Sequence, residues 1–339
     1  MDDPRGPGRP ASFWNRVHRG RTLPGPAAHW WDRPAVHRHL KSLVLEGPSP
    51  DGESLAAALL RERFGGRLPF ARALSVGAGH ATEEIAMLAA GEVAHFELWD
   101  FSAAAAGEGR RAARAAGVAD GRLDYRVGDG FAALDRPAGP YDLVFWRHSL
   151  HHMPDTRKAL EWTRRRLAEG GVALVYEYVG PNRLQWTPAM LRAVNAFRAQ
   201  MPQAYFRRPP HARAWITLLR RLRLAALGRW FPAAWRARIG RTLAREFPRR
   251  VAPADPLGLM RLDPTEAIDA ENILPALREI FPGARVKALG GALFHPGLEG
   301  IVANMPDGDP WLARMLEEDW RLCREEGLCH YAVAWAVRS

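Results

Sequence analysis

Three histidines and a glutamate are set where a proton can be taken up or released. Arg147-His148-Ser149-Leu150-His151-His152 follows an apolar run at 141–146, and Tyr176-Glu177-Tyr178 lies in a second run at 172–179. Imidazole, with an ordinary pKa of about 6.5, changes charge near neutral pH and suits deprotonation of an acceptor. His148, His151 and Glu177 are therefore the catalytic candidates. A plainer use competes with that one: of His151 and His152, one packs in the core and the other caps the helix after Pro154. Glu177 could orient a histidine, bind an amine, or pair with an arginine. The spacing His148-x-x-His151-His152 carries no acidic partner at ligand distance, so no metal is expected.

A second constellation suits a nucleoside. Ser75-Val76-Gly77-Ala78-Gly79-His80-Ala81 ends one apolar run and opens a helical stretch. Glycines there permit positive φ and bring backbone N–H groups close to a ligand. Thr82 stands where a dinucleotide fingerprint needs its third glycine, which argues against a pyrophosphate. Asp100 ends the next run and can accept both hydroxyls of a ribose; its plainer use is an N-cap for the following helix. Asp129, in Gly128-Asp129-Gly130-Phe131, ends a third run. Its carboxylate can take a hydrogen from an adenine amino group, with Phe131 near the ring, unless it is an ordinary Asp-Gly turn.

Those residues need strand ends to hold them, and the chain supplies the rhythm. Short apolar runs at 71–76, 93–99, 123–127, 141–146 and 172–179 alternate with helical patterns at 81–90, 103–117 and 155–168. Gly170-Gly171 reads as the stop of the last of these helices. Such alternation predicts right-handed crossovers and a doubly wound, mostly parallel sheet. Residues 1–28 read as a loose arm and 29–70 as short helices. From 188 to 248 the pattern is all-helical, with Trp215, Leu218, Leu219 and Leu222 on one face and Arg213 and Arg220 opposite. Asp263-Pro264-Thr265-Glu266 reads as a helix start, with acids in its first turn. A strand at 285–289, a helix at 311–326 and a last strand at 331–337 close the chain. The implied organisation is a covering segment at 1–70, an α/β core at 71–182, a helical insertion at 183–262, and closing elements of the same sheet at 263–339.

Leu74 to Gly79, Trp99-Asp100-Phe101-Ser102, Val127-Gly128-Asp129-Gly130 and Asp142-Leu143-Val144-Phe145 resemble successive motifs of class I S-adenosylmethionine-dependent methyltransferases. Trp30-Trp31-Asp32-Arg33-Pro34, Tyr178-Val179-Gly180-Pro181-Asn182-Arg183 and Asp263-Pro264-Thr265-Glu266-Ala267 resemble a bacterial small-molecule group within it. The resemblance implies a seven-stranded Rossmann-like sheet with a reversed final strand. It also implies S-adenosylmethionine as donor and S-adenosylhomocysteine as product. Gly77, Ala78, Gly79, Asp100, Phe101, Asp129, Gly130, Phe131 and Arg147 would form the cofactor site. Trp30, Trp31, His152, Tyr176, Tyr178, Asn182, Arg183 and Trp186 would face the acceptor. Two residues depart from the common motif: Ser75 replaces an acid that orders the glycine loop, and Ala81 stands at another small position. The same cofactor motifs also serve aminocarboxypropyl transfer and cyclisation, and an inactive binding protein would keep them too.

Charge points to the acceptor rather than to the cofactor. The net charge is +11, and 45 of the 48 basic residues are arginine. Residues 207–250 hold 13 arginines and one acid, Glu246, so the rest of the chain is nearly neutral. A basic helical insertion suits a lid over a carboxylate, phosphate or carrier-bound small molecule. An acidic carrier protein or an anionic membrane surface is the next reading, and a solvated face the plainest. Nucleic acid is not expected, because the charge lies on helices rich in Trp, Leu and Ile; an RNA methyltransferase would bind with steep salt dependence. Two cysteines, Cys323 and Cys329, make no disulfide framework or zinc pattern. With no apolar stretch near the roughly 20 residues of a bilayer span and no signal-like start, a cytoplasmic protein is expected. These residues leave open the methylated atom and the oligomeric state.

Overall fold

The computed structural model describes residues 29–130, 139–208 and 246–339. Seven strands form one sheet in the order β3-β2-β1-β4-β5-β7-β6. They are β1 (Phe70–Val76), β2 (Val93–Asp100), β3 (Leu123–Val127), β4 (Tyr141–Arg147), β5 (Leu167–Tyr178), β6 (Arg285–Gly291) and β7 (Cys329–Val337). β1 to β5 pair in parallel. β7 runs antiparallel to both neighbours, β5 and β6. The doubly wound sheet with a reversed last strand is thus present.

Helices flank the sheet: α1 (Pro34–Val44), α2 (Leu55–Phe64), α3 (Thr82–Ala89), α4 (Ala103–Ala115), α5 (Thr156–Arg166), α6 (Pro188–Gln200), α7 (Pro256–Leu262), α8 (Ile273–Ile280), α9 (Phe294–Leu298) and α10 (Pro310–Glu326). β4 is covered on both faces, and Leu143, Val144, Phe145 and Trp146 are each fully buried. That explains its unbroken apolar run, as central parallel strands cannot alternate. Trp146 satisfies its indole N–H on Thr163 Oγ1, 2.9 Å away. Among the described residues, no helix is long and apolar enough to cross a membrane.

Two boundaries differ from those the sequence predicts, each for a local reason. α5 ends at Arg166, and Gly170-Gly171 falls inside β5 rather than at a helix stop. The β4–β5 register shifts there, between Tyr141 and Leu143. A Cβ at Gly171 would lie 2.8 Å from the Tyr141 carbonyl oxygen, so the glycine permits a bulge. Asp263 opens no helix. Its Oδ1 accepts from the Thr265 backbone N–H and hydroxyl at 2.8 and 2.6 Å, closing a tight turn, a use of Asp that competes with helix. A 3-10 turn at Ala270–Asn272 intervenes, and the next α-helix begins only at Ile273. The arm at 1–28, the Trp215 and Arg213 faces, and most of the basic stretch lie outside the described residues.

Candidate active site

The ends of β1, β2 and β3 carry the first half of the site. Register places Val76 beside Trp99 and Asp100 beside Val127, so Gly77, Asp100 and Gly128 lie on adjacent strand ends. The glycine loop differs from expectation in one respect. Its N–H groups turn to the protein: Gly77 and Ala78 donate to Trp99 O, and Gly79 donates to Asp100 Oδ2 at 2.8 Å. What the glycines provide is clearance. Gly77 has φ +71°, and a Cβ there would sit 2.6 Å from Ser149 Cβ. A Cβ at Gly130 would meet Val76 Cγ1 at 2.8 Å.

Asp100 is not the helix cap. Ser102 takes that role, accepting from Ala105 N at 3.1 Å, while Asp100 Oδ1 accepts from Ser102 N at 2.7 Å. Burial, opposed by those two backbone N–H groups, raises the Asp100 carboxyl above the usual range. A carboxylate has about four lone-pair directions, so two oxygens holding one N–H each retain capacity for two ribose hydroxyls. Phe101 is partly exposed beside Asp100, and Asp129 is partly exposed past β3. Phe131 lies outside the described residues.

The acid missing at Ser75 comes from the next helix. Ser75 Oγ donates to Glu84 Oε1 at 2.7 Å, both residues being buried. Burial raises the Glu84 carboxyl above its ordinary value. Arg147 reaches Glu83 with Nε 2.9 Å from Oε1. Burial works against its charge, but Glu83 and Glu84 outweigh it and the guanidinium stays firmly protonated. Arg147, expected beside the cofactor, is thus engaged in an ion pair with α3. Ser149, which no sequence motif singles out, offers a hydroxyl to a polar ligand. Its Oγ is buried, has no hydrogen-bond partner, and faces the space over Gly77. An unpaired buried hydroxyl is costly, and a polar cofactor group over the loop would satisfy it.

The second half stands at the ends of β4, β5 and β7. His148 has φ +49°, a left-handed conformation unusual for a non-glycine residue. Its N–H donates to Tyr176 O at 2.9 Å. Glu177, fully buried, holds the loop after His148: it accepts from the backbone N–H groups of Ser149 and Leu150, and from His151 Nδ1 at 2.6 Å. Of its three possible roles it orients a histidine. Burial opposes its charge, yet His151 and the N–H groups hold its carboxyl below the usual range. The helix after Pro154 is capped by Asp155, which accepts from Lys158 N at 2.9 Å, not by a histidine.

The histidines are driven apart electrically. Burial, with Arg147 adding to it, pushes His148 down to about 3, so its imidazole is neutral at pH 7. Burial also disfavours the His151 imidazolium, but Glu177 and Glu266 outweigh it and raise the pKa to about 9. His152 is lowered by burial and by its neighbour His151, whose ring centroid is 4.2 Å away.

Aromatic rings enclose this half. His148 lies 4.7 Å from Tyr176 and 5.7 Å from Tyr331, and Tyr331 lies 5.6 Å from both Tyr178 and His295. Trp30 is buried, packs 5.1 Å from Tyr331, and has no hydrogen-bond partner for its indole N–H. Trp186 reaches the same group, 5.9 Å from His295. Trp31 does not: it is 38% exposed and stacks on His29 at 4.2 Å. Arg183 is occupied in holding the 263–267 turn, and Asn182 in holding the segment at 270–272 that follows it. Asn182 Oδ1 accepts from Glu271 N, and Arg183 donates to the carbonyls of Pro264 and Glu266. Tyr331, His295, Asp263 and Glu266 also belong to this half; Asp263 and Glu266 lie in a stretch the sequence singles out, though not as part of this site, whereas Tyr331 and His295 carry no local motif.

Residues 51–234, more than half of the chain, match the model of a family described as a methyltransferase domain. No curated protein matches the sequence. Among solved structures, the [4+2]-cyclase SpnF is similar at 15% identity, over 90% of this chain and 93% of that one, with a TM-score of 0.43. Geranyl diphosphate methyltransferase in complex with S-adenosylmethionine is similar at 15% identity, over 84% of each chain, also at 0.43. Phosphoethanolamine N-methyltransferase 2 of Haemonchus contortus, in complex with S-adenosylmethionine, is similar at 14% identity, over 89% of this chain and 56% of that one, at 0.41. With a family model matched over more than half of its length, the chain belongs to the methyltransferase-domain family and is an S-adenosylmethionine-dependent methyltransferase.

Proposed function

We propose that the protein methylates a small, oxygen-bearing acceptor held among Trp30, His148, Tyr178, His295 and Tyr331, with neutral His148, a weak base, taking the acceptor's proton as methylation makes that oxygen acidic. One observation carries the reading: an imidazole fixed in a left-handed backbone beside the end of the cofactor half, 4.7 Å from the Tyr176 ring and 5.7 Å from the Tyr331 ring. Strained backbone persists only where the surroundings enforce it, and here Tyr176 O and the Glu177 carboxylate do so. S-adenosylmethionine brings an activated sulfonium methyl, so the protein's share is to position, desolvate and deprotonate. The Trp30 indole N–H, a donor without a partner, favours an acceptor that carries oxygen, since indole can only donate. Ser149 and Asp100 orient the donor. The basic stretch at 207–250 supports an acidic acceptor, free or on a carrier.

The test uses His148→Asn, because asparagine tolerates the left-handed backbone. Formation of S-adenosylhomocysteine is monitored with a panel of hydroxyl and carboxyl acceptors. Turnover should fall by roughly 10²–10⁴-fold, the usual worth of a general base, with cofactor affinity unchanged. Equal turnover would remove His148 from the chemistry.

A further inference from the structure

The acidic partner absent from the histidine motif arrives from a distant turn. One donor atom each from His151, His152 and Glu266 lie within 4.8 Å of one another. His151 Nε2 stands 3.8 Å from Glu266 Oε1. We propose that these three residues form a binding site for one divalent first-row transition-metal ion.

Four features support that assignment. The His151 ring is held from behind, Nδ1 lying 2.6 Å from Glu177 Oε2. Metal-binding histidines are commonly fixed in this way by a carboxylate on the other nitrogen, which leaves Nε2 directed at Glu266. Next, Asp263 is 5% exposed, and its Oδ2 has no hydrogen-bond partner. That oxygen is aimed into the cluster, 3.7 Å from His152 Nδ1. An unpaired buried carboxylate oxygen is costly, and a cation removes the cost. Third, the carboxylates of Glu177, Asp263 and Glu266 converge on two imidazoles, an excess of negative charge in a largely buried place. Fourth, the turn is pre-formed: Arg183 ties it through the Pro264 and Glu266 carbonyls, and Ile268 N donates to His151 O.

The donor set selects the ion. Two imidazoles and a carboxylate suit zinc, manganese, iron or cobalt, whereas magnesium and calcium prefer oxygen alone. Bonds of about 2.1 Å require the three atoms to close by roughly an ångström, which side-chain rotation supplies. His151 lies 6.1 Å from the Tyr178 ring, so the ion borders the acceptor pocket. If that pocket holds an oxygen-bearing acceptor, as proposed for His148, the ion would polarise the acceptor oxygen.

The experiment titrates CoCl2 into full-length protein stripped with EDTA, reading the visible ligand-field absorption. One equivalent should bind, excess MgCl2 should not displace it, and Glu266→Gln should weaken it at least ~10-fold. Asp263→Asn, which keeps the fold but not the charge, should weaken it less. S-adenosylmethionine affinity, measured by calorimetry on the same samples, should match wild type in both variants and so report intact folding. Absence of saturable cobalt absorption, or equal binding by Glu266→Gln, overturns the site. Failure of the wild type to bind S-adenosylmethionine contradicts the methyltransferase reading instead, and the cobalt titration still decides the metal site.

Discussion

The two halves of the site are built on different principles. At the ends of β1 to β3 the work is done by backbone geometry, absent side chains and one carboxylate: Gly77 clears space against Ser149, and Asp100 braces Gly79 and Ser102. At the ends of β4, β5 and β7 the work is done by side chains from seven stretches of chain, around Trp30, His148, Glu177, Trp186, Glu266, His295 and Tyr331. The first half is local and nearly self-sufficient. The second exists only when the whole domain is folded. A cofactor shared by a family can be met by a short, repeatable motif, whereas an acceptor is met by tertiary assembly.

If the halves are separable in this way, changes on one side should spare the other. The largest effect is expected for His148→Asn, with turnover reduced by roughly 10²–10⁴-fold and cofactor affinity within about threefold. Glu177→Gln comes next. It leaves two backbone N–H groups and His151 without their buried carboxylate, and breaking such a pair costs about 3 kcal/mol or more. Urea denaturation measures it; a loss below about 1 kcal/mol would mean that the post-β4 loop is held by something else. Gly77→Ala should cost about 2 kcal/mol, from a left-handed backbone and a contact with Ser149, and should weaken cofactor binding. Unchanged cofactor affinity there would blur the comparison.

A pH dependence separates the halves in another way. His295 and His330 are buried, and burial lowers their pKa values to about 4 and about 3. Both lie below the ordinary 6.5. Each therefore contributes stability that is complete above that value and is lost as pH falls through the folded pKa. The slope is up to about 1.4 kcal/mol per pH unit for each. The double variant His295→Asn/His330→Gln should lose less stability than wild type between pH 6.5 and 4. Denaturation at each pH reads the difference, and parallel curves would count against buried neutral imidazoles.

Much of the cofactor half is legible in the chain because sequence neighbours become spatial neighbours there. Gly77 to Gly79, Asp100 and Asp129 each sit just past an apolar run, and the strand rhythm alone predicts where such ends meet. The acceptor half is legible in type but not in partnership. His148, His151 and Glu177 can be singled out, but nothing near them announces that Glu266 and Asp263 approach from another segment. The turn at Asp263 is ambiguous in sequence because Asp with Pro and Thr after it serves a helix start and a tight turn equally well; the Thr265 and Arg183 contacts decide it. Ser75 looks like a lost acid because the carboxylate stands on the next helix, at Glu84. Trp30 and Trp31 are adjacent and alike in sequence, yet only Trp30 turns inward. Phe131 and most of the basic stretch lie outside the described residues.

The ends of β1 to β3 should bind S-adenosylmethionine through Asp100, whether or not the acceptor half is intact. Calorimetric titration of S-adenosylmethionine into wild type, His148→Asn and Asp100→Ala tests it directly. Hydrogen bonds to a charged group are worth about 1.5–3 kcal/mol, so Asp100→Ala should bind roughly 10–100-fold more weakly, while wild type and His148→Asn bind alike at one site. Equal affinity in Asp100→Ala, or no binding by wild type, would contradict the account.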